Sequence, residues 1–174
     1  LVSRSAASTT TTANNQSLST AISADGEWVL FQSGATNLVS GLTDSNGTNR
    51  DVFLYQRSTG AVSLVSRSAA SATTTAAGSS FATAISADGE WVMFGSVATN
   101  LVSNLTDSND ANDVFSYQRS TGAVSLVSRS AGSAAVTANR WSAPTAISAD
   151  GEWVLFQSNA TDLVPGVTDN FGFI

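Results

Sequence analysis

Cysteine, histidine and lysine are all missing from this 174-residue chain, whose only cationic side chains are seven arginines set against thirteen acids. Without thiols or imidazoles there is no zinc finger, thiolate nucleophile, haem ligand, Ser-His-Asp triad or base titrating near neutrality. Lack of cysteine leaves the redox compartment open. At net charge -6 with widely spaced arginines, the chain has no basic field to displace counterions from a polyanion, so nucleic acid is not an expected partner. Its apolar runs are short ones such as Trp28-Val29-Leu30-Phe31, far from the roughly 20 residues of a membrane helix. No membrane span is expected. The sequence opens on Leu1 without a basic and apolar leader, the expectation being a processed form or a piece of something longer.

What is present suffices for a core: 42% of residues are hydrophobic, four are Trp and eight Phe, while only 11% are charged. The 29 Ser and 20 Thr imply a surface of hydroxyls in place of lysines, common in bacterial repeat proteins outside the cytoplasm. An extracellular, cell-surface or periplasmic location is expected.

The chain repeats itself. LVSRSAAS starts at Leu1 and at Leu64, and LVSRSAGS at Leu126, giving periods of 63 and 62. A second block, AISADGEWVLFQS at 21–33, returns at 84–96 as AISADGEWVMFGS and unchanged at 146–158. The one-residue difference in period falls between Asp44 and Asp51, matched by Asp107 and Asp113, which marks a surface loop.

Turn chemistry divides each unit into four strands. Residues 20–23 lead into Asp25-Gly26, a hairpin turn, and 27–33 return; residues 51–57 meet Ser58-Thr59-Gly60, and 61–67 come back. These are strands A, B, C and D. Strand B carries Trp28 and Leu30 on one face and Val29 and Phe31 on the other, so both faces of the sheet require cover. Short four-stranded antiparallel sheets, buried on both faces and repeated in tandem, are what β-propeller blades provide. A β-solenoid or a stacked sandwich array is the alternative.

The succession ISADGEWVLFQS, ATNLVSG, a TDSNG-type loop, DVFLYQRSTG and LVSRS resembles the WD-like repeats of TolB-type β-propellers, over essentially the whole chain. The resemblance implies an all-β fold of propeller blades and a binding scaffold of the bacterial secreted or envelope type. The long Ser/Thr-rich connection from D to the next A departs from that pattern.

The expected organisation is a single repeat domain over 1–174: an orphan strand D at 1–7, blades at 19–67 and 82–129, and a partial blade at 145–174 whose C strand is 169–174. Three blades do not close a ring, since propellers run from about four. Open ends leave apolar faces and strand edges in water. A partner is therefore expected: a second copy completing a six-bladed ring head to tail by exchange of strand D, an open filament, or further blades of a longer chain.

The A-to-B and C-to-D turns fall at one end of each blade and the long segments 34–50 and 68–83 at the other, where long loops point to function. Two B-to-C loops carry oxygen ligands at close spacing, Asp44, Asn46 and Asp51, then Asp107, Asn109 and Asp113, resembling the first half of a calcium loop without its closing Glu. Asx turns account for the same residues without metal. Asp25, Asp88 and Asp150 beside Glu27, Glu90 and Glu152 look like paired carboxylates, but identical recurrence assigns them to hairpin turns rather than to one catalytic centre. Arg140 and Trp141 stand outside the repeat, a candidate sugar-stacking or protein-docking pair, or a ring packed over blade edges. Four N-x-[ST] sequons, at Asn15, Asn46, Asn104 and Asn159, are no more than such a composition yields by chance. The sequence thus favours a non-enzymatic scaffold for protein interaction or structural assembly, with carbohydrate or small-ligand binding as the alternative and no residue evidence for a hydrolase.

Overall fold

The structure, a computed structural model, describes residues 1–167. Among them there are ten strands and no helix. Strands β1 (Ser17–Ile22), β2 (Trp28–Ser33), β3 (Asp51–Gln56) and β4 (Val62–Leu64) form one antiparallel sheet in chain order. Strands β5 (Ser80–Ile85), β6 (Trp91–Ser96), β7 (Asp113–Gln118) and β8 (Ala123–Leu126) form the second, and β9 (Ser142–Ile147) with β10 (Val154–Ser158) the third. None is closed. The third C strand expected at 169–174 lies outside the described residues.

Each first hairpin is fixed by the same small network. Ser23 Oγ donates to Asp25 Oδ1 at 2.6 Å and accepts from Trp28 N–H at 2.9 Å, while Glu27 N–H donates to Asp25 Oδ1 at 2.9 Å. Ser86, Asp88 and Trp91 repeat it, as do Ser148, Asp150 and Trp153. A bulge recurs in the first strand of every unit, where Thr20, Thr83 and Thr145 are skipped in the register.

The strand expected over 1–7 is not one. Leu1 aligns with Leu64, the last residue of β4, and the pairing found there is an isolated bridge from Arg4 to Thr12. In the first unit the ladder ends because Ser66 turns its side chain into it: Val52 N–H donates to Ser66 Oγ at 2.9 Å, and Ser66 Oγ to Asp51 at 3.0 Å. The strand-exchange form of dimer loses its basis with that strand.

Sheets pack front to back. One face of the first, Leu30, Val52 and Leu54, joins Val92, Phe94, Phe115, Tyr117 and Leu126 of the second in one buried cluster. The opposite face of the first, Phe31, Phe53 and Leu64, gathers a second cluster with Val2 and Ala13 of the N-terminal arm. Cross-strand rings Phe31 and Phe53 stack at 5.6 Å between centroids, and Phe94 and Phe115 at 5.7 Å. Turns line up as well, Ala24 N–H donating to Ala87 O at 2.8 Å and Ala87 N–H to Ala149 O at 2.9 Å.

The close approach of units needs glycine where a first-hairpin turn meets the tryptophan of the unit before it. A Cβ on Gly89 would sit 2.3 Å from Trp28 Cδ1, and one on Gly151 2.2 Å from Trp91 Cδ1, whereas on Gly26 it would meet only Ile22 Cδ1 at 3.9 Å. All three have positive φ. Gly89→Ala should therefore lower stability by about 2 kcal/mol or more through ring displacement added to backbone strain, and Gly26→Ala by about 1 kcal/mol through strain alone. Urea melts of the two variants measure the difference, which vanishes if Trp28 does not lie on the next turn.

Candidate functional site

Long connections gather at one end, as the alternation of strands requires. Thr43 pairs in parallel with Thr74 and Thr106 with Val136, so each B-to-C loop lies against the D-to-A loop that follows it. Ala69 N–H then donates to Asn100 O at 2.9 Å, tying the same D-to-A loop to the next unit. Loops 34–50 and 68–83 thus share the side expected for them.

Within this layer Asp44, Asn46 and Asp51 come together, but in distinct roles. Asp44 Oδ1 accepts from the N–H groups of Asn46 and Gly47, both at 3.0 Å, as an Asx turn does. Asn46 Nδ2 faces four oxygens: Asp51 Oδ1 at 3.2 Å, Asp51 Oδ2 at 3.4 Å, Ala76 O at 3.0 Å and Gly78 O at 3.1 Å. Its Oδ1 is buried with no partner. In the second loop Asp107 accepts from Asn109 and Asp110, each at 3.0 Å, and Asn109 Nδ2 donates to Ala138 O at 2.5 Å and Arg140 O at 3.2 Å. Asp113 accepts from Ser128 Oγ at 2.9 Å. Among the described residues no group of three or more carboxylates, His or Cys converges on one point.

Burial decides the charge state of the two inner acids. It pushes Asp51 up to about 7 against the pull of Ser66 and Asn46, with the Asp44 charge adding to the rise. It pushes Asp113 up to about 6, opposed by Ser128. The turn acids go the other way: the hydroxyls of Ser23, Ser86 and Ser148 hold Asp25, Asp88 and Asp150 below the usual carboxylate range. Glu27 is also held down, first by the Ser58 hydroxyl, and pairs with Arg57 at 3.5 Å. Asp25, Asp88, Asp150, Glu27 and Glu90 are thus occupied in the turns, and Asp44, Asp51, Asp107 and Asp113 in the loops.

Arg140 and Trp141 stand on the loop side, both exposed, at the start of β9. The Asn109 contact places Arg140 against the second Asp/Asn loop, and Trp141 O accepts from Asn159 N–H at 3.0 Å. The repeated arginines lie just beyond strand D rather than in it, Arg4 Nη2 donating to Gly60 O at 2.9 Å and Arg67 to Gly122 O.

A feature at the other extreme of the stack escapes sequence reading. Trp153 is 73% exposed and Leu155 61%, whereas Leu30 and Met93, at the Leu155 position of the earlier units, are fully buried. At the opposite end Ile22 is 60% exposed. Identical sequence blocks give no hint of this, because exposure here depends on which face packs against a neighbouring unit.

Comparisons with protein-family models, with curated proteins and with solved structures find no match.

The two buried acids set a pH dependence. Their folded-state values lie above the ordinary 3.8, so their contribution is fully present below that value and is lost as pH rises through 6 and 7. The melting temperature should rise on going from about pH 8 to about pH 5, where the turn acids remain ionised. In Asp51→Asn/Asp113→Asn the rise should disappear; thermal melts at both pH values check it.

Proposed function

We propose that this chain is a non-enzymatic scaffold that assembles outside the cytoplasm, its units being β-propeller blades of the TolB type. What carries the reading is the contrast between Trp153 and Leu155, exposed on the third sheet, and their counterparts in the other two, where Trp28 and Trp91 are half-buried and Leu30 and Met93 buried. A large apolar face left open by a repeat that elsewhere covers it marks an interaction surface. The engagement of Asp25, Asp88, Asp150, Glu27 and Glu90 in turns, and of Asp44, Asp51, Asp107 and Asp113 in loops, favours the scaffold over a hydrolase. Three blades amount to half of a six-bladed ring, and a second copy supplies the other half.

Light scattering across micromolar concentrations tests this. The wild-type mass should rise above that of one chain; Trp153→Ser/Leu155→Ser should stay at one chain and melt at about the same temperature. A single-chain mass for the wild type throughout would refute assembly through this face.

A second reading is calcium in the first acidic loop, favoured by the unpartnered Asn46 Oδ1 beside four oxygens that face its Nδ2; in the second loop Asn109 Oδ1 is taken by Ala111 N–H. Asn46, Asp51 and the carbonyls of Ala76 and Gly78 would hold the ion, supplying hard oxygen donors to it. Only ionised carboxylates bind it well. Millimolar calcium should then raise the melting temperature at about pH 8 more than at about pH 5. Equal curves with calcium and with chelator at both pH values remove the reading.

A further inference from the structure

The geometry points to a defined partner surface for the open end: the front of the third unit takes the back of the first unit of a second copy, head to tail. This rests on the scaffold reading above and names the surface and register that it leaves open.

The template is the contact the chain makes twice within itself. Strands β1, β2 and β3 reach β5 of the next unit, and β5 and β6 reach β9. By the same step β9 and β10 would reach β1 of another copy. That copy has the required back face open in part: Phe31 and Phe53 are buried there, but Val29 and Tyr55 are only half-buried, while their equivalents Val92 and Tyr117 are buried under the first sheet. Its N-terminal arm is no obstacle, because Val2 and Ala13 occupy there the places that Val65 and Ala76 hold between the first two units.

Individual contacts complete each other. Trp28 lies on Gly89 and Trp91 on Gly151, so Trp153 is left without a glycine and Gly26 without a tryptophan. The Arg119 guanidinium sits 4.3 Å from the Trp28 ring centroid; Arg57 is its equivalent in the first unit and would cover Trp153 of the other copy. Ala149 N–H would continue the line of turn-to-turn bonds onto Ala24 O.

The strongest indication comes from a position where the repeats differ. Gln32 Oε1 accepts from Ala82 N–H at 3.1 Å across the first contact between units. Across the second, Gly95 replaces the glutamine and Pro144, which has no N–H, replaces Ala82. Donor and acceptor have been lost together. The open front again carries a glutamine, Gln157, and the open back has Ser19 at the Ala82 position of the same bulged strand. The two ends therefore match each other as the first contact does.

Cysteine pairs test the register in a chain that has none of its own. A backbone hydrogen bond between turns brings their Cα atoms within the separation a disulfide spans. Ala24→Cys/Ala87→Cys should close within one chain. When separate Ala24→Cys and Ala149→Cys chains are mixed and oxidised, the 24–149 dimer should exceed the 24–24 and 149–149 products at least tenfold. Trp153→Ser/Leu155→Ser in the Ala149→Cys chain should remove that excess. If 24–87 closes and 24–149 is no more abundant than the symmetric products, the head-to-tail contact is wrong while stacking of units survives. If 24–87 fails to close, the stacked arrangement falls, and the contact with it.

Discussion

A sheet with Leu30, Val52 and Leu54 on one side and Phe31, Phe53 and Leu64 on the other has no way to shelter both sides by itself. Everything else in the molecule follows from that constraint. The cheapest cover for an apolar face is a complementary one already encoded in the chain, and tandem repetition supplies it. Burial of a side chain such as Leu30 is worth about 1.5–3 kcal/mol, so a unit without its neighbour loses several such increments at once. The tryptophan-on-glycine contact then sets the spacing: the ring stands where any side chain on the next turn would be, so Gly89 and Gly151 serve the stack as well as the turn.

Polar groups have to be reconciled with this tight packing, and serine does most of it. Ser33, Ser66, Ser80, Ser96, Ser128 and Ser142 are almost fully buried. Ser33 Oγ donates to Gln16 O at 2.9 Å and accepts from Ala35 N–H at 3.0 Å, ending a strand without leaving the backbone unsatisfied. Ser96 does the same for Ser79 O and Ala98. A hydroxyl is small enough to fit between sheets and both gives and accepts a hydrogen bond. Asp51 and Asp113 stand less easily in the same layer, since burial there favours their neutral form.

Most of the architecture was legible in the sequence because repetition made the turns unmistakable: Asp25-Gly26 and Ser58-Thr59-Gly60 place β1 to β4 within a few residues. The strand at 1–7 was misread because LVSR marks where a strand ends, and a motif's start does not say which side of a boundary it lies on. The hydroxyl-rich composition suggested surface, whereas many of those serines close strand ends inside; composition counts residues without locating them. The roles of Asp44, Asn46 and Asp51 were only half legible. Spacing showed that they share a loop, but the carbonyls that Asn46 meets belong to Ala76 and Gly78, about thirty residues on, which no local pattern reveals. Arg4 and Arg67 likewise reach turns of other segments.

Where repeats diverge, they diverge in pairs that touch. Phe81 faces Gly95 in the ladder and fills the space that Gln32 takes opposite Leu18 in the first unit; a Cβ on Gly95 would come 2.2 Å from Phe81 Cζ. The same glycine removes the acceptor that Ala82 uses one unit earlier, and Pro144 removes the matching donor one unit later. One substitution thus reaches across a strand pair and across a contact between units. An N–H buried between sheets without an acceptor costs about 1–3 kcal/mol, so proline at 144 is the consistent companion of glycine at 95. The first and third units keep the glutamine, and the first keeps a residue with an N–H at the Ala82 position. The contact within the chain that differs is the second; the ends retain the chemistry of the first.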